Sequence, residues 1–183
     1  MSYKSVISID GLYAAAQLED KDMAEQWEER LELIKHKVKF VKNRPNIVCL
    51  ENIDPLLVSG KWIPELIYNA GGQALYSEMG ADAKEISIEE LQKLDADGII
   101  ISIPEKTLVE AKEIVLSVLN TELWQGMRAV QKGHVFVADG EKYFHTPGEG
   151  LIETGEMIAE ILQVNQFYYG MEGESWEQIS QKL

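Results

Sequence analysis

The chain has 183 residues, 45% of them hydrophobic and 26% charged, which suits one domain with one substantial core. Its 31 acidic and 17 basic residues give a formal net charge of −14, which argues against sequence-independent binding to nucleic acid or to an anionic membrane face. A single cysteine, Cys49, excludes an internal disulfide framework and a cysteine-rich zinc site, and His36, His134 and His145 are too scattered in sequence to read as a metal cluster. No run approaches the roughly eighteen apolar residues of a membrane span, and Met1–Asp10 lacks the charged and apolar regions of a secretory signal.

In chain order, Ser5-Val6-Ile7-Ser8-Ile9 reads as a short strand and Asp10-Gly11 as a turn. Met23, Trp27, Leu31, Ile34, Val38 and Val41 then recur every three or four residues, the spacing of one apolar helical face. Asp20 and Asp22 at the start of this helix, and Lys35, Lys37, Lys39 and Lys42 at its end, complement the helix dipole. From Asp20 to Lys42 the helix would be about 35 Å long, and the Asn43-Arg44-Pro45 step ends it. Residues 1–43 carry seven basic and eight acidic side chains, so almost all of the net negative charge lies beyond this break.

Beyond it, strands and helices alternate. Ile47–Leu50 is a short buried strand. Trp62–Ala70 is a helix closed by Gly71-Gly72. Ser87-Ile88-Glu89-Glu90 is a capping box that opens a helix to about Leu94, and Thr107 with Glu110 opens another to Leu119. Gly98–Ile103 and Val135–Val137 are buried strands, and Pro147–Leu162 is a last helix. The pattern predicts a three-layer αβα fold with a mostly parallel sheet. The tail, Gln163–Leu183, is polar with interspersed aromatics and either packs as an extension or frays. The chain divides as 1–43 (strand and long helix), 44–163 (α/β lobe) and 164–183 (extension).

Enzyme signatures are missing: no Gly-x-Ser-x-Gly elbow, no Walker loop, and no Gly-x-Gly-x-x-Gly after a strand. Cys49 sits within an apolar strand, the setting of an inert thiol. A metal-dependent enzyme using Glu51, Asp54 and His145 is the outlying alternative. Three loops follow strands and precede helices, so they lie at the carboxyl edge of the sheet, where open α/β sheets bind ligands. The first, Glu51–Trp62, is unusually apolar and carries Leu57, Gly60, Lys61 and Trp62. The second, Asp139–Gly148, carries Tyr143 and Phe144, of which at least one packs inward. The third, Ser102–Thr107, serves at most as a wall.

Taken together, Arg44–Glu51, Asp54–Glu65, Ala70-Gly71-Gly72, Ile86–Leu91, Asp95–Ile101, Trp124–Gly140, Tyr143-Phe144 and Pro147-Gly148 resemble the carboxyl lobe of cobalamin-type substrate-binding proteins of ABC importers. That resemblance implies a Rossmann-like lobe preceded by a long interlobe helix, with Val6–Ile9 as the last strand of an amino-terminal lobe missing from this chain. It implies a non-catalytic protein with no intrinsic cofactor, whose ligand is cobalamin or a similar large corrinoid, tetrapyrrole or siderophore. Leu57, Gly60, Lys61, Trp62, Tyr143 and Phe144 would contact that ligand, and Glu89 would dock on the ABC permease. The chain departs from the family pattern at Ala83, Lys142, Thr146 and Glu149-Gly150. As written, without a signal, it is expected in the cytoplasm; as a fragment of an exported protein it is expected in the periplasm or at the cell surface. A homodimer formed through the exposed lobe face is the alternative to an amino-lobe partner.

Overall fold

The computed structural model describes residues 4–16 and 20–180. Eight helices and seven strands are assigned within them. These are α1 (Ile9–Ala16), α2 (Lys21–Val38), β1 (Asn46–Ile53), β2 (Leu56–Val58), α3 (Ile63–Asn69), β3 (Gln73–Ala74), β4 (Lys84–Glu85), α4 (Ile88–Lys93) and β5 (Gly98–Ser102). They continue with α5 (Leu108–Leu119), α6 (Glu122–Gln125), α7 (Arg128–Gln131), β6 (Val135–Ala138), α8 (Glu149–Leu162) and β7 (Trp176–Gln178). One sheet runs in the order β4-β2-β1-β5-β6-β7, with β3 beside the first residues of β1. Its centre, β1-β5-β6, is parallel, and β2 and β7 pair antiparallel on either side.

The central strands are buried on both faces, and their side chains alternate between two cores. Ile47, Cys49, Ile100, Phe136 and Ala138 join the core built with α2, α3 and α8. Val48, Leu50, Ile99, Ile101, Val135 and Val137 join the core built with α4, α5, α6 and α7. A strand with two covered faces has no polar side, so these segments read as continuous apolar runs. The fold is therefore an α/β three-layer arrangement around a mixed sheet with a parallel centre, as the sequence predicts.

Both predicted capping boxes form. Ser87 Oγ accepts from Glu90 N while the Glu90 carboxylate accepts from Ser87 N, and Thr107 and Glu110 do the same. Gly71, at φ +89°, ends α3 in the left-handed conformation that glycine tolerates best.

Several expectations are corrected. Val6–Ser8 form a turn leading into α1, and there is no strand over Ser5–Ile9. The deciding partners are not neighbours. Val6 N donates to the buried Glu65 carboxylate on α3 (2.9 Å), where a strand would need a ladder partner, and Ser5 Oγ bonds the other oxygen of the same group. Ser8 Oγ then accepts from Gly11 N at 3.0 Å and caps α1. Gly11 lies inside that helix and not in a turn, and a Cβ there would fall 1.2 Å from Ser5 O.

Helix α2 begins as predicted, with Asp20 accepting from Asp22 N and Met23 N. It stops at Val38, so its 18 residues span about 27 Å and not 35 Å. Past Val38 the helical stripe is not continued: Phe40 is 80% exposed, and Val41 packs against the core from outside the helix. At the other end of the stripe Ala24 is buried and Met23 exposed. The predicted loop Glu51–Trp62 is mostly a hairpin. Strand β1 continues to Ile53, turns through cis Asp54–Pro55, and returns as β2 with Ile53 opposite Leu56. The tail packs: β7 pairs with β6. The buried Glu160 carboxylate collects Met171 N, Glu172 N, Trp176 Nε1 and Tyr169 N. The last predicted tail residues, Gln181–Leu183, lie outside the described residues.

Helix α2 packs across α3 and α8. Gly155 on α8 makes room for it, since a Cβ there would meet Leu31 Cδ2 at 2.7 Å and Leu66 Cδ2 at 3.4 Å. Asn69 Nδ2 donates to Leu31 O at 3.0 Å, and Arg30 forms a two-bond contact with Glu156, at 2.9 and 2.8 Å. Helix α2 is thus part of this lobe's own packing. Leu31→Ala should cost about 2–5 kcal/mol of unfolding free energy. Leu33→Ala, on the exposed face of the same helix, should cost within about 0.5 kcal/mol. Urea denaturation compares the two, and equal small effects would mean that α2 does not seal the core.

Candidate functional site

The connections after β1, β5 and β6 leave the same edge of the sheet. Around them lies a cavity of about 330 Å³. From the segment Glu51–Trp62 and the start of α3 it is lined by Glu51, Gly60, Lys61, Trp62 and Ile63, from the connection after β5 by Pro104, and from that after β6 by Phe144 and His145. A fourth segment contributes Asp82 and Ala83, of which the sequence marked only Ala83, as a departure from the family pattern. An open depression of about 600 Å³ adjoins it and shares Asp82 and Ala83, and two others, about 590 Å³ between α2 and α3 and about 580 Å³ at the amino edge of the sheet, lie away from this convergence of loops.

Contacts between different connections hold the wall in place. Lys61 N donates to Ala81 O at 2.6 Å, and Gly80 N to Lys61 O at 2.8 Å. Trp62 Nε1 donates to Phe144 O at 2.8 Å, and Phe144 N to Thr154 Oγ1 at 2.8 Å. Two non-glycine residues of the wall have left-handed backbones, Lys61 at φ +52° and Phe144 at φ +69°. Such conformations cost of order 1–3 kcal/mol each and collect at functional sites.

The predicted site residues divide. Gly60, Lys61, Trp62 and Phe144 line the cavity. Leu57 does not: it lies in β2, half-buried, opposite Asn52 and Glu85. Gly60 is required by a close approach, but of the chain to itself, because a Cβ there would lie 2.1 Å from Ala81 O. Phe144 is 1% exposed, so it borders the cavity as the end of the core. Tyr143 is half-buried and its hydroxyl accepts from Ser175 Oγ at 3.3 Å, away from the cavity lining. Glu89 is exposed in the first turn of α4. Asp54, in the hairpin turn, is exposed and apart from Glu51 and His145 in the cavity. Among the described residues no three His, Cys, Asp or Glu side chains form a group able to hold a metal ion.

The electrostatics of the cavity are set by burial. Burial pushes the Glu51 carboxyl above the usual carboxylate range, and repulsion from Asp82 adds to this, while the Ser59 hydroxyl and the Lys61 ammonium pull the other way. Burial also holds the His145 imidazolium below its ordinary range; the hydrogen bond to Ser102 opposes this and the nearby Lys61 charge reinforces it. Cys49 is a different case, since burial pushes its thiol up to about 12, in keeping with an inert strand residue. Asp82 was unreadable as a site residue in so acidic a chain, and Glu51 and His145 were legible only as members of a metal-dependent enzyme reading whose third residue, Asp54, lies outside the cavity.

A family model for periplasmic binding proteins matches residues 11–141, and the chain belongs to that family. No curated protein sequence matches it. Among solved structures, it is similar to an ABC transporter substrate-binding protein from Listeria monocytogenes EGD-e, with a TM-score of 0.72 and 18% identity over 89% of this chain and 66% of that one. It is also similar to IsdE of S. aureus complexed with heme, with a TM-score of 0.69 and 16% identity over 88% and 66% of the two chains. A third is the periplasmic vitamin B12 binding protein BtuF of Vibrio cholerae, with a TM-score of 0.66 and 16% identity over 89% and 63%. At these identities the likeness is one of fold. The chain spans between 52% and 66% of the length of the first structures it matches.

Glu51 gives the site a stability signature. Its pKa in the fold is raised above the ordinary 4.5, so its contribution is fully present below that value and is lost as pH rises through the folded pKa. Glu51→Gln should therefore raise stability at pH 7, and the advantage should vanish at pH 4. Urea denaturation at the two pH values checks this; an equal gain at both would place its cause elsewhere.

Proposed function

We propose that this chain is one ligand-binding lobe of a substrate-binding protein serving an ABC importer, non-catalytic, and that its cavity at the carboxyl edge forms one wall of the site for a large ligand of the corrinoid, tetrapyrrole or siderophore kind. The observation that carries the reading is the convergence of Lys61-Trp62, Asp82-Ala83, Pro104 and Phe144-His145 on one cavity at the edge where open α/β sheets take their ligands. Membership of the periplasmic binding protein family supports it, as do fold neighbours that include a heme complex and a vitamin B12 binding protein. The second wall, on this reading, is an amino-terminal lobe that precedes α2, and the permease docks on the outer surface around Glu89. Such a protein works outside the cytoplasmic membrane.

A buried ligand site encloses about 70–90% of its ligand, and one wall encloses much less. The isolated chain should therefore bind cobalamin, hemin or a ferric siderophore with a dissociation constant above about 1 μM. Amide hydrogen exchange with each probe at saturating concentration should show protection centred on residues 59–63, 81–83 and 143–146. Protection confined to the groove between α2 and α3, or none with any probe, would overturn the assignment of the site. Submicromolar binding would overturn its description as a half-site.

A further inference from the structure

We infer that the ligand of this cavity turns N–H donors, amide or ammonium, toward Glu51 and Asp82, and does not present carboxylates there; the inference rests on the reading of the cavity as the ligand site. The side-chain donors and acceptors of the wall do not balance. Two of its nitrogen donors are spent within the chain. Trp62 Nε1 donates to Phe144 O at 2.8 Å. His145 Nε2 lies 2.7 Å from Ser102 O. A carbonyl oxygen only accepts, so this nitrogen carries the proton and the bond to Ser102 uses it. The remaining donor is the Lys61 ammonium, which lies 5.8 Å from the centroid of the Trp62 ring and forms no ion pair among the described residues.

Two carboxylates are left over. Glu51 and Asp82 both line the cavity, and the charges of Asp82 and Lys61 act on the Glu51 carboxyl, so the three groups lie together. Among the described residues no N–H donor bonds to either carboxylate; the Ser59 hydroxyl alone lies beside Glu51. Two carboxylates against one ammonium leave this part of the cavity with a net negative charge. A ligand carboxylate would meet like charge there, whereas an N–H donor would meet acceptors that lack one. Hydrogen bonds to ionised acceptors are stronger than neutral ones and gain further as water is excluded. Asp82 is exposed in the free chain, so solvent screens it until a ligand covers it. The inventory divides the ligand classes. A corrinoid bearing side-chain amides fits this wall, as does a hydroxamate siderophore ending in an ammonium. A porphyrin with its carboxylates turned to this wall does not.

The alternative is that Glu51 and Asp82 are solvated rim charges of an acidic chain and select nothing. Two pairs of probes that differ in the group presented decide between these. One pair is cobinamide and a corrin whose side-chain amides are hydrolysed to carboxylates. The other is ferrioxamine B, which ends in an ammonium, and its succinylated derivative, which ends in a carboxylate. The whole chain is titrated with each by calorimetry at pH 8 and low salt, which keeps Glu51 ionised. In at least one pair the N–H-bearing member should bind about 10-fold tighter or more, the size expected of hydrogen bonds to charged groups. The pair that responds tells amide from ammonium. Glu51→Gln combined with Asp82→Asn should bring the ratio close to one. Carboxylate members that bind as tightly or more tightly in both pairs would overturn the inference and leave the ligand site standing. A preference that survives both substitutions would overturn its assignment to these two residues. Failure of all four probes to bind the unsubstituted chain would overturn the reading of the cavity as well. Should the double variant not fold, Asp82→Asn alone, at an exposed position, carries the test. A reduced ratio supports the inference, and an unchanged ratio refutes it.

Discussion

The structure depends on three strands, β1, β5 and β6, that are parallel and buried on both faces. Parallel neighbours cannot be joined by a tight turn, so each connection leaves at the carboxyl edge, crosses a face as a helix and returns at the opposite edge. Two results follow from that one constraint. Both faces acquire helices, because each strand presents apolar side chains to both, as Ile47 and Cys49 do on one side and Val48 and Leu50 on the other. Three connections that are distant in sequence also emerge side by side, and the cavity lies among them. The site is thus a by-product of the way the sheet is wound, and its chemistry depends on what the connections carry.

Those connections are bonded to one another. Lys61 N to Ala81 O, Trp62 Nε1 to Phe144 O and His145 Nε2 to Ser102 O each join two different crossings of the edge. A wall built in this way keeps its shape without a ligand, which limits the ordering cost when one binds. It also carries features that oppose stability: two left-handed non-glycine residues and a carboxyl group held where burial penalises its charge. Native proteins tolerate such features where function needs them and offset them elsewhere. Here the offset lies in the two apolar cores beneath the edge.

Helix α2 shows how a segment that looks like a connector becomes structural. Its apolar stripe is occupied by α3 and α8, its backbone is bonded by Asn69, and Arg30 crosses to Glu156. The leading segment is fastened to the same layer through Glu65, on the helix that starts beside Trp62. The path by which the chain reaches α2 therefore runs along α3, beside the depression between α2 and α3.

Local chemistry explains what could be read from the sequence alone. The paired caps of α4 and α5 and the glycine stop of α3 depend on partners within a few residues, and the apolar runs of β1, β5 and β6 are contiguous in sequence, so those elements, the α/β class and the edge that carries the cavity were determined by the sequence itself. Pro104 as a wall and Gly60, Lys61, Trp62 and Phe144 as lining followed from the loops in which they lie. Tertiary structure decided the rest, because the decisive partners are far apart along the chain. Val6 is removed from any strand by Glu65, 59 residues away. Leu56–Val58 become a strand because β1 is there to pair with them and β4 to flank them. Tyr143 is turned from the cavity by Ser175, 32 residues on. His145 acquires its tautomer from Ser102, 43 residues before it. No periodicity records such pairings: a buried polar group is satisfied by whatever the fold brings to it, and only the folded chain specifies what that is.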